Sequence, residues 1–149
     1  MSLADHLCPG AVLLRPAAKD KWELLSALVR ALVEAGRLPV EREAEALEAL
    51  EARERSVSTG MEHGIAVPHA ALPGLDGVVA AVAILPQGLA FDSLDGQPAR
   101  IVVLLLVPRE EKLLHVRTLT EVARRLGDPD FRERLLRAGD PDQVRALWR

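Results

Sequence analysis

The chain has 149 residues, long enough for one domain with a proper hydrophobic core. A formal charge of −3, no tyrosine, two phenylalanines and no basic run leave neither the field nor the stacking surface of a nucleic-acid binder. A single cysteine, Cys8, excludes an internal disulfide and fits a reducing compartment. The N-terminal residues lack the charged start and long apolar core of a secretory signal. The apolar runs at 78–86 and 101–107 fall far short of the roughly 20 residues a membrane helix needs. A cytoplasmic protein without membrane insertion is expected.

In chain order, Ala11–Leu14 is the first strand candidate, closed by Pro16. Asp20 then has the character of an N-cap, with Glu23 three residues on as in a capping box. Trp22, Leu25, Leu28, Val29, Leu32 and Val33 recur at helical spacing, and Gly36 supplies a stop. A second helix is predicted over about 41–54, ending near Ser56, and strands follow at 64–67, 78–85 and 101–107. Ile101–Val107 is apolar at every position, as a central strand covered on both faces requires, and Pro108 ends it. A third helix is predicted over roughly 110–126, broken by Gly127-Asp128-Pro129. Asp128 caps a fourth, with Pro129 at its first position and Leu135, Leu136 and Ala138 on its apolar side. Asp140-Pro141 repeats the start signal for a short last helix ending at Trp148. The order β-α-α-β-β-β-α-α-α predicts an α/β sandwich with a mixed sheet, a single domain over 1–149 with no repeat, linker or low-complexity segment.

The chemistry concentrates in residues 53–70. The apolar strand Gly64-Ile65-Ala66-Val67 runs into Pro68 and is predicted to stop at His69. Pro68 fixes its own φ and pushes Val67 into the extended region, so the approach to His69 is constrained. Strand ends of open α/β sheets are where ligands and chemistry usually sit. A neutral imidazole there can act as nucleophile, base or metal ligand. Upstream, Ser58-Thr59-Gly60 and Glu62-His63-Gly64 form a polar turn whose amides could hold an anion. Arg53, near the end of the second helix, either reaches toward a charged group on His69 or complements the helix dipole. His115 shares a helix face with Leu119, Val122 and Leu126 and so points inward; at the positive helix end a neutral imidazole is favoured as a donor to an oxyanion. A metal-dependent hydrolase using His63, His69 and His115 is a competing reading, although no His-Glu-x-x-His motif is present.

Together these residues carry a resemblance. Arg53-Glu54, Ser58-Thr59-Gly60 and Gly64-Ile65-Ala66-Val67-Pro68-His69-Ala70 stand in order and spacing as in the enzyme IIA domain of the phosphoenolpyruvate-dependent sugar phosphotransferase system. The type it resembles is the fructose/mannitol one, which includes the nitrogen-regulatory IIA proteins. Phe91, Asp95-Gly96-Gln97-Pro98, the run from Val102 to Val107 with Pro108, and His115 with Leu119 and Leu126 extend the match over essentially the whole chain. The resemblance implies a mannitol/fructose IIA-like fold, a mixed, mostly parallel sheet flanked by helices. It implies a phosphoryl relay without cofactor or metal. In it His69 becomes a tele-phosphohistidine, charged by an HPr-type phosphocarrier protein or its nitrogen-branch counterpart. Arg53 is then the phosphate-facing cation and His115 the phosphate stabiliser. The group passes to a IIB domain, or the phosphorylation state signals to a regulatory target. After His69 come Ala70 and Ala71, with no hydroxyl where some transport members carry Thr; this weighs toward the regulatory branch over a IIA component feeding a IIB/IIC permease. A binding module that kept the fold and lost phosphotransfer is a further reading. His63 stands where many relatives have Asn, and no role for it is implied. Protein-to-protein transfer requires His69 at the surface, with Met61, Ile65, Leu72 and Leu75 as the expected apolar rim.

Overall fold

The computed structural model describes residues 2–149. Strands β1 (Val12–Leu14), β2 (Ile65–Ala66), β3 (His69–Leu72), β4 (Val79–Leu89) and β5 (Ala99–Pro108) combine with helices α1 (Lys21–Glu34), α2 (Glu43–Ser56), α3 (Lys112–Leu126), α4 (Pro129–Arg137) and α5 (Pro141–Leu147). In the sheet the order is β1-β4-β5-β2, with β3 also paired to β5. β1 runs parallel to β4, and β2 and β3 run parallel to β5; only the central β4–β5 ladder is antiparallel. The expected α/β sandwich with a mixed, mostly parallel sheet is therefore the fold that forms.

Strand alternation builds two cores from one sheet. Val102, Leu104 and Leu106 of β5, with Ala81, Ala83 and Leu85 of β4, face Leu24, Leu25, Leu28 and Leu32 of α1 and Ala46 and Leu50 of α2. Ile101, Val103, Leu105 and Val107, with Ala80, Val82 and Ile84, face Val122 and Leu126 of α3, Phe131 and Leu135 of α4, and Val144 and Trp148 at the C-terminal end. Covered on both faces, these strands carry apolar residues at consecutive positions rather than alternating ones. Helix ends follow the sequence signals. The Asp20, Asp128 and Asp140 carboxylates accept from the N–H groups of Glu23, Asp130 and Gln143. At the end of α1, Gly36 adopts φ 73°, and the N–H groups of Gly36 and Arg37 return to the carbonyls of Val33 and Leu32. That closure needs a left-handed residue, which glycine supplies.

Two expectations need correction. The strand ending at Pro68 resumes: His69–Leu72 form β3, in register with Leu105–Pro108 of β5. Proline lacks only the N–H, and its carbonyl still accepts from Leu105 N–H at 3.0 Å, so pairing is interrupted for one donor and continues. β4 likewise runs past Pro86 to Leu89, absorbing the proline in a register shift between Ile84 and Leu89.

The β2–β3 side is the sheet edge. Alongside β2 the chain folds back, Gly60 bridging antiparallel to Ala66, with Met61 N–H donating to Ile65 O and Val67 N–H to Thr59 O. His63 (φ 66°) and Gly64 (φ 76°) make the reversal. This cover ends at Pro68, and the edge opens at His69.

Candidate active site

His69 opens β3 on the alternation phase of Ile65 and Val67, which turns its side chain toward the α3 layer. The ring is partly buried, with Nδ1 2.8 Å from the Val67 carbonyl oxygen. A carbonyl can only accept, so Nδ1 carries the proton and Nε2 keeps its lone pair. Burial holds the ring below the usual histidine value of 6.5; the neighbouring Arg53 and His115 push the same way, while the Val67 hydrogen bond and Glu54 oppose them. At neutral pH the result is an uncharged imidazole whose free nitrogen is Nε2, a nucleophile.

His115 sits in the first turns of α3, its N–H on Glu111 O. Buried Val122 and Leu126 keep its helix face turned inward, and its ring stands edge-on to His69, centroids 5.5 Å apart at 71°. Arg53 comes from the other helical layer, near the end of α2. Its Nη1 donates to Val57 O at 2.7 Å, capping the helix, and its charge is felt at His69. One of five guanidinium donors is thus engaged, and the rest remain for an anion. Of the three residues singled out from the sequence, His69 and His115 stand ring to ring, and the Arg53 charge reaches His69 from the other helical layer.

The 58–61 turn does something other than expected. Its amides are not open to an anion: Thr59 N–H donates to Glu54, Gly60 N–H to Ser58 Oγ, and Met61 N–H to Ile65 O. Ser58 Oγ–H in turn donates to Phe91 O. Gly60 is required for closeness rather than for an unusual φ, because a Cβ there would lie 2.6 Å from Ser93 Oγ and 2.9 Å from Ser93 Cα.

Beneath the turn lies a buried ion pair that the sequence reading missed. Glu54, 2% exposed, accepts from Lys21 Nζ at 3.0 Å and from both the N–H and the hydroxyl of Thr59. Lys21 also meets Asp92 at 3.1 Å. Burial alone would lower the Lys21 ammonium, but its hydrogen bonds to Glu54 and Asp92 and their charges leave it above its usual value. A signal was available: Glu54 follows Ala46 and Leu50 at steps of four, on the buried stripe of α2.

The expected rim is also corrected. Ile65 and Leu72 are buried, and Met61 and Leu75 pack partly against the two cores. The exposed apolar side chains on the elements that carry the site are Val57, 66% exposed beyond α2, and Leu113 and Val116, 63% and 61% exposed on α3. His63 does not join the other rings: its N–H donates to Asp95, and Nε2 is 3.8 Å from Glu62. Among the described residues no group of three His, Cys, Asp or Glu side chains is placed to hold a metal ion.

A neutral nucleophilic imidazole, an edge-on second imidazole and a guanidinium form a constellation for receiving a phosphoryl group. The model of the family described as phosphoenolpyruvate-dependent sugar phosphotransferase system, EIIA 2, matches residues 6–148. The chain belongs to this family. This EIIA 2 chain is 31% identical over 144 residues to a nitrogen regulatory protein of Bradyrhizobium diazoefficiens, covering 97% of the chain and 92% of that protein. It is 35% identical over 129 residues to the fructose-specific EIIA component of Haloferax volcanii, covering 87% of the chain and 81% of that component. Its fold superposes on the crystal structure of the nitrogen regulatory protein IIA-Ntr from Neisseria meningitidis with a TM-score of 0.88 at 26% identity, covering 99% of each chain. Among the described residues no helix is long and apolar enough to cross a membrane.

Proposed function

We propose that this protein is a phosphoryl carrier in which His69 Nε2 accepts the group from an HPr-type phosphocarrier protein. The observation that carries the reading is the hydrogen bond from Nδ1–H to Val67 O, which leaves Nε2 as the free lone pair beside His115 and Arg53. Nε2 attacks phosphorus as the donor's bond to phosphorus breaks, and the electron pair of that bond leaves with the donor. The acceptor ring then carries phosphoryl on Nε2 and hydrogen on Nδ1, and the Val67 carbonyl stabilises that partly positive ring. Arg53 and His115 supply donors for the phosphoryl oxygens, so catalysis is positioning plus charge stabilisation. Val57, Leu113 and Val116 are the apolar rim of a small, transient docking face.

Downstream, the regulatory branch is favoured. Ala70 and Ala71 leave no hydroxyl beside His69, and relatives named nitrogen regulatory protein align over nearly the whole chain. A sugar-transport role, feeding a IIB domain, is supported by the likeness to the fructose-specific component. The test is incubation with phosphoenolpyruvate, enzyme I and HPr, followed by intact mass. One phosphoryl group should add to the wild type and none to His69→Ala, and the adduct should be acid-labile and base-stable. Stoichiometric labelling of His69→Ala refutes the assignment. Transfer onward to a purified fructose IIB domain separates the transport role from the regulatory one.

A further inference from the structure

We infer that Glu54, locked by Lys21, is a positioning residue that sets the orientation and tautomer of His69 through a continuous hydrogen-bond relay. The inference rests on the reading of His69 as the phosphoryl acceptor.

The relay can be followed atom by atom. Lys21 Nζ donates to Glu54 Oε2 at 3.0 Å. The same carboxylate receives Thr59 N–H at 3.0 Å and, on its other oxygen, Thr59 Oγ–H. Thr59 presents its carbonyl to Val67 N–H at 3.2 Å, and the Val67 carbonyl receives His69 Nδ1–H at 2.8 Å. Each link holds the next group in place, and the chain ends on the proposed acceptor ring.

The weak point of the path explains why it needs an anchor. The peptide plane bearing the Val67 carbonyl ends in Pro68, which has no N–H, so nothing fixes that plane through its nitrogen. Its tilt comes from the two sides: Val67 N–H on Thr59 O, and Pro68 O on Leu105 N–H. The Leu105 side belongs to the rigid centre of the sheet. The Thr59 side is a turn, and without Glu54 the Thr59 N–H and hydroxyl lose their partner, leaving the turn to the backbone bonds of its neighbours Gly60 and Met61. Ser58 and Gly60 brace its flanks through Phe91 O and the close contact with Ser93.

A merely structural ion pair does not require this arrangement. Burying two charges is costly unless the geometry satisfies their remaining hydrogen-bonding capacity. Here both carboxylate oxygens are directed to one residue of the turn, and Lys21 is held from a second side by Asp92, itself at φ 53°. Networks of this kind specify one arrangement rather than simply adding stability.

The test reads the ring directly. In wild type, imidazole ¹⁵N shifts of neutral His69 should show a protonated-type Nδ1 and an unprotonated-type Nε2. In Glu54→Gln only one position can accept: with Oε1 toward Lys21 and Thr59 N–H, the amide N–H must donate to Thr59 Oγ, which reverses that bond and removes the countercharge of the buried Lys21. The two nitrogen shifts should then converge as tautomers mix. With phosphoramidate as a small phosphodonor, whose P–N bond breaks as Nε2 attacks and ammonia leaves, kcat should fall about tenfold or more with little change in KM, the expected consequence of a displaced reacting group. Thr59→Ser, which keeps both donors, should behave as wild type, and Thr59→Val should fall between. A folded Glu54→Gln with wild-type tautomer and kcat overturns the relay. If Glu54→Gln does not fold, Thr59→Val decides, and wild-type shifts and kcat there overturn it equally. The tautomer readout needs no phosphoryl transfer, so a wild type that never takes up phosphate would refute the acceptor reading while leaving the relay measurable.

Discussion

Replacing His115 with alanine isolates one half of the two-ring site. The ring is partly exposed and, among the described residues, makes no side-chain hydrogen bond; its neighbour is the His69 ring itself, 5.5 Å away and edge-on. Loss of fold stability should therefore be small, within about 0.5 kcal/mol as for other substitutions outside the packed core. Two functional effects are expected. First, burial and the Arg53 charge hold His69 below 6.5; removing the His115 ring opens the His69 ring to water and weakens the leading cause, so the His69 midpoint moves up. Second, a phosphoryl oxygen carried on Nε2 loses a donor whose reorganisation cost was met in folding. Loss of one preorganised donor costs on the order of 10²–10³ in rate, about 2.7–4 kcal/mol. Quench-flow transfer from phosphorylated HPr gives the rate, and proton NMR titration of the His69 ring gives the midpoint. A folded His115→Ala protein with wild-type transfer rate and an unmoved His69 titration would refute the two-ring mechanism.

Other outcomes follow from the same geometry. Transfer to wild type should stay level as pH falls from neutral past 6.5 and drop only below it, because the depressed His69 keeps Nε2 unprotonated; a midpoint above 6.5 in the pH–rate profile contradicts this. The same depression stabilises the fold above 6.5, and that contribution disappears as pH falls through the lower folded value, visible as a falling Tm. Arg53→Lys should be nearly as slow as Arg53→Ala, since lysine cannot both cap Val57 O and present a fork; losing a charged hydrogen bond of about 1.5–3 kcal/mol predicts roughly 10- to 100-fold in single-turnover transfer. Full activity in the lysine variant would reduce Arg53 to a helix-end charge. Gly60→Ala forces a methyl against Ser93 backbone and should cost about 1–3 kcal/mol, several degrees in Tm; an unchanged melting curve means the turn is softer than its contacts indicate.

What could be read from the chain, and what could not, divides along a physical line. Buried strands reveal themselves because water exclusion on both faces demands apolar residues at every position, as in Ile101–Val107, and aspartates before helices reveal themselves because their carboxylates replace missing backbone partners. The candidate site residues His69, His115 and Arg53 stood out as side-chain types at telling positions. The Val67 carbonyl was not, since any residue brings a carbonyl and only the fold shows where it points. Ile65 and Leu72 were misjudged as a rim because nearness to His69 in sequence was taken for nearness to solvent. Both are strand residues whose side chains the alternation turns into the cores. Glu54 was seen as half of an Arg-Glu pair, but its helical phase with Ala46 and Leu50 already placed it inside.

The position of His69 on an open sheet edge reconciles two demands that otherwise conflict. An acceptor ring has to be buried enough to stay neutral and held in one tautomer, yet a partner protein has to bring its own phosphorylated residue against it. A ring at the centre of the sheet meets the first demand and fails the second, and one on a surface loop does the reverse. Pro68 ends the cover that 59–61 lays along β2, so His69 keeps the sheet's rigidity on the β5 side while its ring stands beside His115 of α3. On the proposed function, phosphorylation of His69 would add nearly two negative charges within reach of the Arg53 charge, while the exposed Val57, Leu113 and Val116 stay as they are. The two states proposed for this fold would therefore differ in the sign of the field at the centre of an otherwise constant docking face. Such a difference would allow a donor to be released and a different partner to be engaged.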